Sequence, residues 1–178
     1  MAGIIKVNQY QDFNGNTLFT SDGSGNLTTQ NFMKPAFEAH LGSDQSVSDN
    51  TTTKVQFDTE VFDTDNAYDN STNYRFTPQV AGKYYVYAFV RFSNSSSNTF
   101  ANTNAMIYKN GSVYKNVIND PDNNELSQYT AFISSTIDFN GSSDYVEIFA
   151  AADVTSGTPR FESENKETSF GAYRIGVE

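Results

Sequence analysis

The order of apolar and polar positions predicts a chain built from β-strands. From residue 35 onward, short apolar runs follow one another with Asn, Gly, Asp and Ser turn signals between them. No segment of useful length has the 3.6-residue period of an amphipathic helix. The predicted strands are Ala36–His40, Lys54–Phe57, Glu60–Phe62, Tyr74–Thr77, Lys83–Ser93, Ala105–Lys109, Val113–Val117, Gln128–Phe139, Tyr145–Ala151 and Ser169–Val177. Two long runs among many short ones favour an antiparallel β-sandwich.

The run Lys83–Ser93 departs from the alternation expected of a surface strand, because both of its faces are apolar. One face consists of Tyr84, Val86, Ala88, Val90 and Phe92, and the other of Tyr85, Tyr87, Phe89 and Arg91. The first face fits a sandwich core. An exposed patch of several aromatic side chains usually marks an interface between molecules. The alternative is that a loop of the same chain covers the second face.

The first 34 residues differ from the rest and predict an anchoring arm. Turn signals at Asn14-Gly15 and Asp22–Asn26 separate apolar pieces that are too short to bury a core of their own. We expect these apolar residues to contact another molecule; they are Ile4, Ile5, Val7, Leu18 and Phe19. A flexible tail is the alternative. Residues 35–178 form the predicted globular domain, and no repeat at a fixed period is expected along the chain.

The composition excludes several classes of binding partner and of metal site. Eleven basic and 21 acidic residues give a net charge of −10, which repels nucleic acid and anionic lipid. There is no cysteine, so disulfides and thiolate metal sites are excluded. The opening "MAGIIKVNQYQDF" has neither a secretory signal pattern nor a membrane span. We therefore expect synthesis in a cytoplasm without export, and no membrane insertion.

Residues that could carry catalysis are scarce, and we predict a protein without enzymatic activity and without a cofactor. His40 is the only histidine and is interpreted as structural. No nucleophile elbow, phosphate loop or His/Cys metal spacing occurs. Carboxylates cluster at Asp63–Asp69 and at Asp120–Glu125, and a calcium ion bound by either cluster is the alternative left open. Solvated acidic loops are the favoured interpretation, because Ala67 and Tyr68 interrupt the first cluster.

One series of residues follows set spacings along the chain: Phe57, Asp63, Tyr68, Phe76, Gly82 and Tyr84. This series resembles the pattern of the C1q-like globular head, which is related to the tumour necrosis factor fold. One extra residue separates Tyr68 from Phe76, and Val86 and Ala88 occupy two later positions that are aromatic in the family. The segments "PAFEAHLG", "YKNG", "SDYVEI" and "TSFGAYRI" are similar to further strands of that family, so the resemblance covers about residues 35 to 177.

This resemblance implies an all-β, antiparallel jelly-roll sandwich of about ten strands that assembles as a homotrimer, with one sheet facing the three-fold axis. The candidate interface residues are Tyr85, Tyr87 and Phe89, with Phe132 and Phe170 on neighbouring strands. Burying three such rings would contribute roughly 5 kcal/mol. The family is one of recognition and assembly modules.

The arm is similar to the openings of short structural proteins of tailed phages, especially marine and cyanobacterial ones. The similarity rests on Lys6-Val7, Gln11-Asp12, Gly15-Asn16-Thr17 and Asp22–Asn26. It implies a virion-surface protein, a capsid decoration or fibre-like head protein that the arm docks to a capsid or tail component. A tail-fibre tip and a secreted recognition module are the alternatives. For contact with a host glycan, the candidate loop residues are Asn94, Asn98, Asn104, Asp120 and Asp122.

Overall fold

The computed structural model describes residues 7–29, 33–96, 99–121 and 126–176, without the side chains of residues 27–29. The chain divides into two compact units, Met1–Phe32 and Met33–Glu178, and each is described by itself. No helix in the described ranges is long and apolar enough to cross a membrane.

The first unit is a three-stranded antiparallel meander. Its strands are β1 (Gln9–Gln11), β2 (Thr17–Ser21) and β3 (Leu27–Thr29), with β2 in the middle. Tyr10 lies opposite Phe19, and their ring centroids are 4.4 Å apart. Val7, Phe13 and Leu18 are exposed. All three residues of β1 are exposed.

The two turns of this unit have the same structure. In each, an aspartate carboxylate accepts hydrogen bonds from the backbone N–H groups two and four residues later and from an asparagine side chain. Gly15 and Gly25 have φ of +83° and +93°, which favours glycine at these positions. The sequence Asp-x-x-Gly-Asn therefore recurs ten residues apart, at 12–16 and 22–26.

Among its described residues, the second unit contains thirteen strands and one 3₁₀ turn, Glu164–Lys166. The strands are β4 (Ala36–His40), β5 (Gln45–Ser46), β6 (Thr53–Lys54), β7 (Thr59–Asp63), β8 (Tyr68–Asp69), β9 (Arg75–Phe76), β10 (Gly82–Asn94), β11 (Phe100–Lys109), β12 (Ser112–Asn119), β13 (Gln128–Phe139), β14 (Val146–Val154), β15 (Pro159–Phe161) and β16 (Ser169–Gly176).

These strands form two antiparallel sheets. In sheet I, β10 pairs with β13 along one edge. Along its other edge, β10 pairs first with β16 and then with β15. Strand β16 continues to β4 and then β7, and β15 continues to β5. Sheet II has the order β12-β11-β14-β9-β8, with β6 also pairing with β14. The predicted all-β sandwich is confirmed, with more short strands than the ten expected.

The core between the sheets is aromatic. The aromatic members of the family-like series, Phe57, Tyr68, Phe76 and Tyr84, are all buried in it. The Tyr68 hydroxyl donates to the carbonyl O of Phe57 at 2.9 Å, and its backbone N–H donates to Asp63 at 2.8 Å. These contacts join the loop before β8 to the core, so the series maintains the fold.

The start of β10 requires a glycine at position 82 for two structural reasons. Its φ is +141°, and a Cβ atom there would lie 2.4 Å from the carbonyl O of Gly176. Both the backbone conformation and the close approach of β16 favour glycine at this position.

Candidate functional site

Strand β10 separates a buried face from a partly exposed one. The side chains of Tyr84, Val86, Ala88, Val90 and Phe92 are fully buried against sheet II. On the opposite face Tyr85, Tyr87 and Arg91 are half-buried, and Phe89 is 38% exposed. No loop within the described ranges covers this face completely, which argues against the intramolecular alternative.

The register of sheet I assembles further aromatic residues around β10. Phe89 lies opposite Phe132 of β13, with ring centroids 4.7 Å apart, and Phe132 is 48% exposed. Tyr85 lies opposite Tyr173 of β16, at 5.6 Å. We call this set the aromatic face; its members are Tyr85, Tyr87, Phe89, Phe132 and Tyr173. Tyr173 is the member that the sequence did not predict.

Tyr87 is fixed at the centre of the aromatic face. Its cross-strand partner on β16 is Gly171, and a Cβ atom at Gly171 would lie 2.4 Å from the Tyr87 hydroxyl oxygen and 2.5 Å from ring carbon Cζ. The ring therefore occupies space that only glycine leaves free. The Tyr87 hydroxyl donates to Oε2 of Glu38 at 2.8 Å. Burial, together with this bond, raises the pKa of Tyr87 well above its usual range, so the hydroxyl stays protonated.

Phe170 does not belong to the aromatic face, and its assignment to the interface is wrong. It pairs with Ala88, whose side chain faces the core, and it is fully buried. Its ring lies 4.8 Å from Phe37 and 5.5 Å from Phe57. Neighbouring strands of a sheet place paired residues on the same side, so Phe170 must point inward as Ala88 does.

One end of the aromatic face is bordered by ion pairs. The Nε atom of Arg91 lies 3.1 Å from Oε2 of Glu162 and 2.8 Å from Oε2 of Glu167. Its Nη2 atom donates to Oε1 of Gln128 at 2.5 Å. Apolar rings bordered by satisfied polar groups are typical of the core and rim of a protein interface.

Three of the predicted ligand-binding loop residues, Asn94, Asn104 and Asp120, lie among the described residues. Asn94 ends β10, where its side chain donates to the carbonyl O of Ser156 at 2.8 Å. Asn104 lies inside β11 and not in a loop, so that assignment is wrong. Asp120 follows the end of β12. Asn98 and Asp122 lie outside the described residues, as do Ile4 and Ile5 of the anchoring arm.

The carboxylates of the first acidic cluster are engaged by their own loop. Asp63 accepts from the N–H groups of Asp65 and Tyr68, and Asp69 accepts from Ser71 and Thr72. Within the described ranges, no group of three or more His, Cys, Asp or Glu side chains is placed to hold a metal ion.

His40 has a structural contact. Its Nδ1 atom lies 2.8 Å from the carbonyl O of Leu41, within hydrogen-bonding distance. This contact with the backbone agrees with the structural role that the sequence predicted for His40.

Comparison with known proteins identifies the architecture. No protein-family model matches the chain, and no curated protein matches it. Among solved structures, the globular domain of zebrafish complement 1qA is similar with a TM-score of 0.58 and 14% identity, over 82% of this chain and 100% of that one.

Two further structures are similar to the same degree. Murine APRIL at pH 5.0 gives a TM-score of 0.57 and 10% identity, over 79% of this chain and 98% of that one. Eiger TNF from S. frugiperda gives a TM-score of 0.56 and 9% identity, over 80% of this chain and 93% of that one. The chain therefore has a TNF/C1q-like jelly-roll fold. At such low identity, these likenesses establish the fold alone.

Proposed function

We propose that this protein is a non-enzymatic assembly module that forms a homotrimer through the aromatic face. The observation that carries the proposal is the continuous row of five aromatic side chains on an outer sheet face. The TNF/C1q-like fold supports a three-fold arrangement. In a closed three-fold ring each protomer uses two different surfaces, and the aromatic face is the first of them.

The free energy of association available from burying the aromatic face is smaller than the roughly 5 kcal/mol expected from the sequence for three fully buried rings. Fully burying a large apolar side chain contributes about 1.5–3 kcal/mol. Phe89 and Phe132 are already more than half covered, since they are 38% and 48% exposed. Covering the remainder contributes roughly 1 kcal/mol for each ring. A stable trimer therefore needs the whole face together with its polar rim.

Light scattering tests the assembly. We expect about three times the chain mass of 19.7 kDa. Tyr87→Asp places a charge at the centre of the aromatic face and should give a folded monomer. Thr52→Asp adds the same charge at an exposed position outside this face and should leave the trimer intact. A wild-type monomer at micromolar concentration would contradict the proposal.

We further propose that the trimer is a structural protein of a tailed-phage virion, made in the host cytoplasm and displayed on the particle surface. Residues 1–34 would dock it to a capsid or tail component. The support is the phage-like pattern of the arm and its exposed apolar residues Val7, Phe13 and Leu18. The role that we propose for it is that of a decoration or fibre-like head protein.

Immunogold labelling of phage particles tests this setting, using antibody to residues 35–178. Label over the capsid is the expected result. Label confined to the tail tip would favour host recognition instead. If intact particles carry no label, the virion assignment fails, while the trimer proposal is still decided by its own experiment.

A secreted recognition module is the second candidate, and the fold shared with APRIL and the complement 1qA head favours it. Export of the protein from producing cells, with no association with particles, would support this candidate.

A further inference from the structure

The tetrapeptide Asp-Phe-Asn-Gly occurs twice in the chain, at 12–15 in the first unit and at 138–141 across the end of β13. Each copy ends in an Asn-Gly pair. In such a pair the backbone nitrogen of the glycine can attack the carboxamide carbon of the asparagine, because glycine has no Cβ atom to obstruct the approach. Since the two copies are identical, a difference in their reactivity must come from the fold.

The copy at 138–141 is held by its surroundings. The Phe139 ring is buried in the core. The side-chain oxygen of Asn140 accepts from three backbone N–H groups at 2.9 to 3.1 Å; the donors are Ser142, Ser143 and Asp144. Its side-chain nitrogen donates to the Ser143 hydroxyl at 3.0 Å. The carboxamide must break these bonds before its carbon meets the glycine nitrogen.

The copy at 12–15 lacks these restraints. The Phe13 side chain is fully exposed, and residues 11–16 are all exposed. Among the described residues, none forms a hydrogen bond with the side chain of Asn14, whose backbone N–H donates to Oδ1 of Asp12 at 2.9 Å. The carboxamide of Asn14 can therefore rotate toward the next residue without breaking a bond.

The glycines of the two copies also differ. The N–H of Gly15 donates to the carbonyl O of Asp12 at 3.0 Å, and this bond must open before the nitrogen attacks. Exposed backbone hydrogen bonds open at a small cost, because few buried contacts hold them. A Cβ atom at Gly15 would meet nothing within 4 Å, whereas one at Gly141 would lie 2.3 Å from the backbone nitrogen of Ala81. The first glycine thus has space to move, and the second is packed against a neighbouring segment.

The third Asn-Gly pair of the sequence, Asn110-Gly111, lies in the turn between β11 and β12. Asn110 is exposed, as Asn14 is. Its Oδ1 atom accepts from the N–H of Tyr145 at 2.9 Å, and its Nδ2 atom donates to Oδ1 of Asp144 at 2.8 Å. Exposure therefore does not separate the three pairs, but the hydrogen bonding of the asparagine side chain does.

We propose that Asn14 is a site of spontaneous deamidation in the folded protein. The Gly15 nitrogen forms a bond to Cγ of Asn14, and the C–N bond of the carboxamide breaks. The proton of the Gly15 nitrogen passes through water to the departing nitrogen, which leaves as ammonia. A water molecule then opens the cyclic succinimide at either of its carbonyls and leaves aspartate or isoaspartate at position 14. No atom is oxidised or reduced.

Both products change the turn between β1 and β2. Each adds a negative charge two residues from Asp12, and isoaspartate also adds one methylene to the backbone. The Asp12 carboxylate accepts from the N–H groups of Asn14 and Asn16 at 2.9 and 2.8 Å, and a longer backbone cannot keep both donors in place. The modification is confined to the first unit, so the proposal depends on neither the trimer nor the virion assignment.

Peptide mapping by mass spectrometry tests the proposal on the full chain, incubated in mildly alkaline buffer at physiological temperature. Deamidation changes the peptide mass by the difference between an amide and a carboxylic acid, and the isoaspartyl peptide elutes separately. We expect position 14 to react at least about tenfold faster than positions 110 and 140, where two or more hydrogen bonds of the carboxamide must break first.

The denatured chain is the matched control. In denaturant the two identical tetrapeptides should react at similar rates, because the contacts that hold Asn140 are lost. Asn14→Gln should abolish the reaction at this position and leave the other two unchanged, since a longer side chain must close a less favourable ring. Asp144→Ala releases Nδ2 of Asn110 and should raise the rate at Asn110 severalfold without affecting Asn14.

Three outcomes would contradict the proposal. Equal rates at positions 14 and 140 in the folded protein would mean that the free carboxamide gives no advantage. A preference for position 14 that persists in denaturant would show that flanking sequence, and not the fold, selects the site. An unreactive position 14 in the folded protein, together with reaction in denaturant, would show that the bond from Gly15 to Asp12 protects the turn.

Discussion

The two faces of β10 carry similar amounts of aromatic and aliphatic surface and meet different environments. Toward sheet II, Tyr84 and Phe92 are fully buried among other core rings. Toward the outside, the rings of Tyr85 and Phe89 pack against neighbouring rings of sheet I. The same backbone thus contributes to folding on one side and, in the trimer that we propose, to association on the other.

This difference shows how a strand with two apolar faces should be interpreted. One face is explained by the sandwich, because any sheet must bury one side. The second face is the basis of the trimer that we propose, since large apolar patches are uncommon on monomers. Substitutions on the two faces should therefore affect different measurements.

The largest expected effect is on the core face. Phe92→Ala should lower the free energy of unfolding by about 3–5 kcal/mol, because it removes a fully buried ring that packs against Phe100 and Phe161. Denaturant unfolding followed by circular dichroism measures the loss. Phe89→Ala is the matched control on the other face and should cost about 1 kcal/mol or less in the monomer. Equal losses at the two positions would contradict the assignment of faces.

The second effect is on assembly. Phe89→Asp places a charge beside Phe132, and desolvating an unpaired carboxylate at an interface is strongly unfavourable. We expect a folded protein whose trimer dissociates at a concentration at least about a hundredfold higher than for the wild type. Because the dissociation constant of a trimer scales with the square of that concentration, this shift corresponds to about 5.5 kcal/mol per trimer. Sedimentation over a concentration series gives this value. If Phe89→Asp remains as trimeric as the wild type, the aromatic face is not the interface.

The third effect is the loss of stability at alkaline pH. Burial raises the pKa of Tyr84 to about 12, while the unfolded chain has the ordinary tyrosine value of about 10. The folded state therefore binds more protons between these two values, and its stability falls as pH rises from about 10 to about 12. Unfolding at a series of pH values checks this direction. Tyr84→Phe should show a shallower decline; an identical decline would remove Tyr84 as a contributor.

The smallest expected effect is local, at the contact between Tyr87 and Gly171. Gly171→Ala forces the Tyr87 ring away from β16 and breaks its bond to Glu38, at a cost of about 1 kcal/mol. In the Tyr87→Ala background the added methyl group should be neutral or stabilising. A double-mutant cycle on unfolding free energies measures this coupling. Additive effects would mean that the ring does not occupy the space above Gly171.

Local pattern predicted much of the fold. The bounds of β4 and β13 agree with the sequence prediction, because their runs are apolar and end at strong turn signals. The short strands β5, β8 and β15 were not predicted. Each has only two or three residues and is defined by its pairing with a neighbour and not by its own composition.

The candidate site was predicted in part. Because alternate residues of a strand lie on the same face, the sequence placed Tyr85, Tyr87 and Phe89 on one face of β10, as the structure does. On β16, Phe170 and Tyr173 are three residues apart and must face opposite sides of the sheet. Sequence alone favoured Phe170 for the outer side, whereas its register with Ala88 directs it into the core and directs Tyr173 outward.

The sequence by itself determined the β class, the two apolar faces of β10, the lack of thiol chemistry and the two turns of the arm. Each of these depends on residue identity or on contacts a few positions apart. Only the tertiary structure decided that Tyr87 packs on Gly171 and that Arg75 stacks on Tyr145 beside Asp69. Those neighbours are 84, 70 and 6 residues apart in the chain, and pairing register, which no local pattern specifies, brings them together.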